Sequence, residues 1–416
     1  MIIIETILIV LFKILLDISY IFYVSEMYSY QGFIADYNTY KIIFGTIVII
    51  MIFLLFRLNN EEKSIGNIII IILITLIIVP TSVLYGVEDT PTLFYIIVNL
   101  GFIFTIMISR FPAIKIIDVD IISQKLLVKM VTLFMLVVLV SLIGLGGMPS
   151  FEALNLNNVY EIRRSSEIPR ILSYLFNWQT KVFSLFLLAY GLFYKKKFLI
   201  VLTLGVQLLI FMITAHKIIL FAPFLLIILY IILRYLKSFN IFYLGVFNLG
   251  VSMSFLMYKI NLSEWPATLF IRRMLLVPVK NTNFTFEYFS DLEKVKLSNS
   301  ILRGVFSYNY DLGVYYLIGR EYYGNPNTNA NASFIADSYV QFGLIGILLI
   351  SIILGIIIWI LKSISKDKPL VLTVGCVIIG FFGLVDTALQ TTMITSGLLI
   401  GIILLFFIKK EDNFNL

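Results

Sequence analysis

The 416-residue chain contains only one cysteine, Cys376, and one histidine, His216. A single cysteine cannot form a disulfide within the chain, and together with one histidine it cannot supply a Cys/His zinc cluster. Charged side chains are also scarce, because Asp, Glu, Lys and Arg make up 13% of the residues, against roughly a quarter in soluble domains. These shortages exclude a disulfide-rich secreted scaffold, a disordered chain and an ordinary soluble enzyme.

Hydrophobic residues, at 60% of the chain, are correspondingly abundant. A helix needs ~20 mostly apolar residues to cross a bilayer. Twelve segments meet this need: about 2–24, 41–58, 67–85, 92–109, 127–147, 175–194, 198–215, 218–236, 240–260, 334–361, 370–388 and 391–408. Their lengths suit helices and not barrel strands. We therefore predict an all-α polytopic membrane protein of about twelve helices, with residues 1–416 forming one integral membrane domain. The first segment lacks a basic start and a cleavage site, and is expected to be retained.

Basic residues in the short connections predict the orientation of these helices. Alternate connections and the C-terminus carry Arg57 and Lys63; Arg110, Lys115 and Lys125; Lys195, Lys196 and Lys197; Arg234 and Lys237; Lys362, Lys366 and Lys368; and Lys409 and Lys410. Positive charge in short loops favours the cytoplasmic side. All six groups fall on one side if there are twelve helices, so we expect both termini in the cytoplasm.

Two long connections fall on the opposite side, at 148–174 and 261–333. The second is far longer than usual connections. It is rich in Phe, Tyr, Leu and Val, a composition that is not typical of a disordered segment. The stretch from Trp265 to Lys280 could lie as a helix on the outer leaflet.

Arginine is concentrated in these two outer loops. They contain Arg163, Arg164, Arg170, Arg272, Arg273, Arg303 and Arg320. The planar guanidinium group can bind phosphate through two parallel hydrogen bonds, which lysine cannot do. The pairs Arg163-Arg164 and Arg272-Arg273 therefore favour a diphosphate site, with Arg320 as a further candidate. Contact with lipid headgroups or simple solvation is the structural alternative.

His216 and Lys217 occupy a tight turn between the seventh and eighth predicted helices. A neutral imidazole at His216 could accept a proton from a hydroxyl group, and Lys217 could bind phosphate as a point charge. A polar turn without a catalytic role is the alternative for His216. We retain His216 as a candidate catalytic residue and Lys217 as a candidate substrate-binding residue.

Asp337 is expected in the first turns of the tenth helix, with Ser333 as its N-cap. A carboxylate there is favoured by the helix dipole, and this is the structural alternative to a base or hydroxyl-binding role. Asn329 and Asn331 could bond sugar hydroxyls, although asparagine is also an ordinary turn residue. In the first helix, Lys13 and Asp17 are four residues apart and are expected to form an ion pair.

Three stretches of the chain together resemble the Wzy-type polymerases of O-antigen and capsule oligosaccharide repeat units. They are residues 214–223 (TAHKIILFAP), residues 272–278 (RRMLLVP) followed by 286–290 (FEYFS), and residues 329–337 (NANASFIAD) followed by 342–346 (FGLIG). With the many helices and the large outer loop, the likeness spans most of the chain.

The resemblance implies a GT-C-like, metal-independent glycosyltransferase without a cofactor in the bacterial cytoplasmic membrane. Its substrates would be glycans on undecaprenyl diphosphate, joined at the outer face. Fixed cations are needed to stabilise the departing diphosphate. Membrane lipids would be further partners, and a chain-length regulator and a flippase are possible protein partners. No nucleic acid is expected. A ligase for O-antigen and a transporter of lipid-linked sugars are the alternatives.

Overall fold

The computed structural model describes residues 1–58, 62–88, 90–115, 122–155, 168–299 and 305–409. Within these ranges the protein contains helices and connecting segments but no strand. The helices in chain order are α1 (2–28), α2 (Thr39–Arg57), α3 (Ile65–Val87), α4 (Thr92–Ser109), α5 (Gln124–Gly146), α6 (170–193), α7 (Lys197–Thr214), α8 (Lys217–Tyr235), α9 (Phe239–Lys259), α10 (267–288), α11 (Val314–Tyr323), α12 (Phe334–Ile364), α13 (Leu370–Gly383), α14 (Leu389–Ile394) and α15 (Leu398–Phe406).

Eight helices of the described ranges are long and apolar enough to cross a membrane: α2, α3, α4, α5, α7, α8, α9 and α12. The protein is therefore an all-helical polytopic membrane protein, as its composition predicts. The remaining predicted segments are also largely helical, but α13 has only 14 residues and the last segment is divided between α14 and α15. The count of twelve spans stays a prediction.

Helix α3 forms the centre of the bundle, since every one of its residues is buried. The helices around it expose apolar faces. On α2, for example, Ile43, Ile47, Met51 and Leu54 recur at helical spacing and are all exposed. A continuous apolar exterior of this kind suits hydrocarbon and not water. The apolar residues thus serve both as the inner core and as the contact surface for lipid.

The helix ends form two groups, which we name the Arg57 end and the Asp337 end after one residue in each. At the Arg57 end, Lys63 Nζ before α3 donates to the carbonyl of Leu233 in α8, at 3.1 Å. At the Asp337 end, the first amide of α12 donates to the carbonyl of Leu384 after α13, at 3.1 Å. These bonds join connections that the charge pattern assigns to the same side. Which end faces the cytoplasm stays a prediction.

Two buried ion pairs involve α1. The predicted pair in this helix is confirmed, because Lys13 Nζ lies 2.6 Å from Asp17 Oδ2. Nearer the Arg57 end, Arg57 Nε lies 2.6 Å from Glu5 Oε2. The Glu5 carboxylate also accepts a hydrogen bond from Asn240 Nδ2 at 3.3 Å. Buried charges need such partners, so these contacts fix the positions of α1, α2 and α9.

The large predicted loop 261–333 contains two helices, α10 and α11. Helical backbone begins at Trp265, as predicted, but it continues past Lys280 to Tyr288. Pro278 does not end it, because this residue stands in the first turn after a change from wide π-helical to α-helical backbone. Proline has no backbone N–H group, and at this position the helix does not need one as a hydrogen-bond donor. Helix α10 packs against α9 and α12, and this places it across the Asp337 end.

Candidate active site

The N-terminal part of α12 is a short helix set apart from the rest by a kink. Phe342 and Gly343 have non-helical backbone, and Gly343 has φ +66° and ψ −151°. Only glycine adopts this region without strain. A Cβ atom at Gly346 would also lie 2.1 Å from the Ser338 carbonyl oxygen. The two glycines let residues 334–341 fold over the Asp337 end while the remaining helix runs on through the bundle.

The Asp337 carboxylate is buried and held by two side-chain amides. Its Oδ2 accepts a hydrogen bond from Gln390 Nε2 at 2.6 Å, and its Oδ1 accepts one from Gln341 Nε2 at 3.3 Å. No lysine or arginine of the described ranges forms an ion pair with it. Ser333 occupies the N-cap position, but its hydroxyl contacts Thr282 and does not cap the helix. Asp337 is thus an oriented carboxylate that has no counter-ion among the described residues.

A cavity of about 480 Å³ opens beside Asp337, and Asn329 and Asn331 line it as well. Both asparagines are exposed and alternate with the buried residues Ala330 and Ala332. This alternation is what an extended backbone produces. The structure therefore brings together three of the residues selected from the sequence. Their amides and the carboxylate form a polar wall suited to sugar hydroxyls.

Arg170 and Tyr315 line the same cavity. Arg170 begins α6 and is exposed, so its guanidinium group is accessible to an anion. The Tyr315 hydroxyl oxygen is buried and has no hydrogen-bond partner in the described part of the chain. Burial, with the nearby Asp337 carboxylate, raises the pKa of Tyr315 well above its ordinary value. The hydroxyl therefore keeps its proton and can donate it in a hydrogen bond to a ligand.

A second cavity, of about 650 Å³, lies at the same end of the bundle and contains a buried ion pair. Lys280 Nζ of α10 lies 2.7 Å from Glu88 Oε2, and Tyr20 donates its hydroxyl to Glu88 Oε1. Burial raises the pKa of Glu88, while Lys280 and Tyr20 oppose this. The side chains of Phe284 and Tyr322 stack at 4.1 Å between ring centroids and form an aromatic wall. Aromatic faces and charged groups together are suited to binding a glycan.

Helix α10 lines the larger cavity and contacts one residue of the smaller cavity. Lys280, Phe284 and Glu287 recur at i, i+4 and i+7, so they share one helix face, and all three line the larger cavity. Asn281 lies on a neighbouring face and donates to the Asn331 carbonyl at 2.7 Å. Tyr323 donates its hydroxyl to Asn281 Oδ1 at 2.6 Å. Helix α10 thus lines the larger cavity and, through Asn281, contacts the backbone of Asn331 beside the smaller one.

His216 lies away from Asp337. It occupies the N-cap position of α8, and its ring centroid lies 5.7 Å from that of Phe176 in α6. Tyr174, two residues before Phe176 in α6, lines the smaller cavity. On an α-helix, side chains two residues apart point in directions that differ by about 160°. His216 is therefore on the other face of α6 from Asp337. Lys217 begins α8 beside it and lines neither cavity.

The predicted arginines have different environments. Arg272 in α10 is buried, with its guanidinium carbon 4.1 Å from the Tyr28 ring centroid, and it donates to Gln31 Oε1. Burial lowers the pKa of Arg272. Arg273 is exposed, so the two side chains differ in their environments, and their binding of a diphosphate stays a prediction. Arg320 is bound to Asp311 through two hydrogen bonds, of 2.6 and 3.4 Å. Arg163 and Arg164 lie outside the described residues.

Several residues of the two cavities were not selected from the sequence. The smaller cavity includes Arg170, Tyr315 and Gln390, and the larger one includes Glu88 and Lys280. A signal for Gln390 existed, because the polar run from Asp386 to Thr392 interrupts an otherwise apolar region. The helical spacing of Lys280, Phe284 and Glu287 was also visible. The pairing of Lys280 with Glu88 was not visible in the sequence, since 192 residues separate them.

Metal ligands are not clustered in the described part of the chain. No group of three or more His, Cys, Asp or Glu side chains there could hold a metal ion. Activity without a divalent metal stays a prediction, to be tested with the purified protein.

Comparisons with protein-family models, curated proteins and solved structures found no match to this chain. Assignment of a function therefore depends on the sequence motifs and on the geometry of the two cavities.

Proposed function

We propose that the protein joins oligosaccharide repeat units carried on undecaprenyl diphosphate, at the outer face of the bacterial cytoplasmic membrane. The observation that supports this most directly is the pair of cavities at one end of the bundle, which share helix α11: Tyr315 and Tyr316 line the smaller one and Tyr322 lines the larger one. A polymerase must hold a lipid-linked donor and a lipid-linked acceptor together, both entering from the same membrane face. Two adjacent polar cavities at one end of an apolar bundle meet that requirement.

In the proposed reaction, an acceptor hydroxyl attacks the anomeric carbon of the donor sugar. The new glycosidic bond forms as the bond to the diphosphate breaks, and undecaprenyl diphosphate departs. Asp337 takes the proton of the acceptor hydroxyl, because its carboxylate is oriented by Gln341 and Gln390 and has no cation partner in the described ranges. Arg170 stabilises the charge that develops on the departing diphosphate.

The other side chains of the smaller cavity would position the sugars. Asn329 and Asn331 offer both donors and acceptors to sugar hydroxyls, and the Tyr315 hydroxyl offers a further donor. We assign the larger cavity to the second glycan, with Phe284 and Tyr322 against a sugar face. His216 lines neither cavity, so we assign it no role in this arrangement.

The test is an assay of the purified protein in lipid nanodiscs with undecaprenyl-diphosphate-linked repeat units. We expect a ladder of longer glycans and the release of one undecaprenyl diphosphate for each bond formed, with EDTA present throughout. Asp337→Asn should lower the rate about 10²–10⁴-fold, the usual contribution of a general base. Glu321→Gln is the matched control, because Glu321 is an exposed acid of the same region that lines neither cavity.

Three results would contradict the proposal: absence of any glycan transfer both in EDTA and with added Mg²⁺ or Mn²⁺, equal rates for Asp337→Asn and the wild type, or movement of intact lipid-linked glycan across the bilayer without transfer. The last would indicate a transporter. A ligase would transfer the donor glycan to a different acceptor lipid and form no ladder. A requirement for Mg²⁺ or Mn²⁺ would overturn the prediction of metal independence alone.

A further inference from the structure

A third cavity, of about 440 Å³, lies at the Arg57 end, away from the proposed reaction site. It is formed by the connection before α3, the end of α6, the last turns of α8 and the start of α13. Its apolar lining comes from Phe193, Leu233, Leu370 and Val371. The cavity is therefore placed where the ends of helices meet the headgroup region of a bilayer.

Three basic side chains and one acidic side chain line this cavity: Lys63, Arg234, Lys368 and Asp367. The net charge of these four groups at neutral pH is therefore positive. The neighbouring acid Glu62 accepts hydrogen bonds from the Ser238 hydroxyl and from the Asn240 amide at 3.3 Å, and the three basic groups still outnumber the two acids when it is included.

Local hydrogen bonds hold the basic groups in place. Lys63 Nζ donates to the Leu233 carbonyl at 3.1 Å, and Arg234 Nη1 donates to the Tyr230 hydroxyl at 2.6 Å. Each of these bonds uses one proton of a group that carries several, since an ammonium has three and a guanidinium has five. The remaining N–H groups of these two exposed side chains can serve a ligand at the cavity.

We propose that this cavity binds the phosphate group of an anionic phospholipid, with the start of the acyl chains against Phe193 and Leu370. Charge complementarity identifies the phosphate, and the apolar lining favours an amphiphile over a free anion. The arginine can bind two phosphate oxygens at once, and Lys63 provides a point charge. This site is independent of the proposed transferase activity, because none of its residues lines the cavities at the Asp337 end.

The test uses the full chain in nanodiscs of phosphatidylcholine containing increasing amounts of phosphatidylglycerol. Retained phosphatidylglycerol is counted by native mass spectrometry, and the melting temperature is followed in parallel. We expect one lipid to be retained more strongly than the rest. The double substitution Lys63→Gln/Arg234→Gln should weaken its retention about tenfold or more, since two charge-assisted hydrogen bonds are lost.

The matched control is Lys237→Gln/Lys366→Gln, which removes the same charge at the same end from exposed residues that do not line the cavity. It should retain the lipid like the wild type. Equal weakening in both double variants would overturn the site and indicate general attraction to an anionic surface. Displacement of the lipid by low millimolar inorganic phosphate would assign the cavity to a soluble anion. Both variants should melt like the wild type in pure phosphatidylcholine.

Discussion

The two ends of the bundle use buried charge differently. At the Arg57 end, Glu5 and Arg57 pair at 2.6 Å, and hydrogen bonds of Asn240 and Asn67 extend the contact. At the Asp337 end, the pair of Lys280 and Glu88 lines a large cavity. The first arrangement joins helices, and its residues line none of the three cavities described above. The second keeps its charges accessible, as a binding site requires.

The largest expected effect on stability is at the buried pair of Glu5 and Arg57. Arg57→Ala would leave the fully buried carboxylate of Glu5 without its cation. Removing one partner of a buried ion pair typically costs about 3–5 kcal/mol of unfolding free energy. The measurement is an SDS titration in mixed micelles, followed by tryptophan fluorescence. Lys366→Ala, at an exposed position of the same end, should change little.

A companion variant distinguishes the lost pair from lost packing. In Glu5→Gln/Arg57→Met both charges are absent, so no uncompensated charge is buried and most of the stability should return. A loss below about 1 kcal/mol for Arg57→Ala, the range of exposed pairs, would show that the network does not stabilise this end.

The pair in the cavity should contribute less to stability. In Lys280→Met, Glu88 loses its cation but keeps the Tyr20 hydrogen bond, and the 650 Å³ cavity can admit water to its carboxylate. We expect a loss of about 1–3 kcal/mol, the usual cost of an unsatisfied polar group. Lys296→Met is the control, because Lys296 pairs at the surface with its side chain 64% exposed. A loss equal to that of Arg57→Ala would abolish the distinction between the two ends.

The helices were predictable from the sequence, and the cavities only in part. An apolar run near twenty residues becomes a helix for local reasons, so each of the twelve segments falls mainly on helical backbone. The continuation of α10 past Pro278 depends on a π-helical turn, which composition does not reveal. Asn329, Asn331 and Asp337 were found together because they are neighbours in the chain.

The features of the site that the sequence did not predict depend on contacts between residues that are distant in the chain. Glu88 and Lys280 meet because α3 and α10 pack together at the Asp337 end, and nothing near either residue specifies the other. Arg272 and Arg273 are identical, adjacent residues in the sequence, yet Arg272 is buried against Tyr28 and Arg273 is exposed. The residues that an arginine contacts depend on the rotation and packing of its helix, which the sequence pattern does not determine.

The kink in α12 provides a third test of how the Asp337 end is built. Gly343→Ala places a Cβ on backbone with φ +66° and ψ −151°, which should cost about 1–3 kcal/mol. Relief of this strain would straighten the helix and move Asp337, so glycan transfer should fall as well. Gly205→Ala is the control, because a Cβ there meets nothing within 4 Å. In a helix that change is neutral or stabilising by roughly 0.5–1 kcal/mol. Equal behaviour of the two variants would show that the kink is not required.

The smallest expected effect is at the surface pair of Arg320 and Asp311. The Arg320 hydrogen bonds hold the pKa of Asp311 below its ordinary value. A lowered folded-state pKa stabilises the fold above the unfolded-state pKa, and the stabilisation is lost as the pH falls through the folded-state value. Arg320→Gln should therefore lower the melting temperature slightly at pH 7 and not at pH 3. Both groups are fully solvated, so the difference should be near the detection limit.

The same variant tests whether this arginine takes part in substrate binding, as the sequence suggested. Arg320 lies one turn beyond Tyr316, which lines the smaller cavity, but its guanidinium group is occupied by both oxygens of Asp311. We therefore expect Arg320→Gln to transfer glycan at the wild-type rate. A tenfold loss of rate with unchanged stability would mean that Arg320 exchanges Asp311 for the donor diphosphate during the reaction. Arg320→Lys should then also be impaired, because lysine cannot reproduce the two parallel hydrogen bonds.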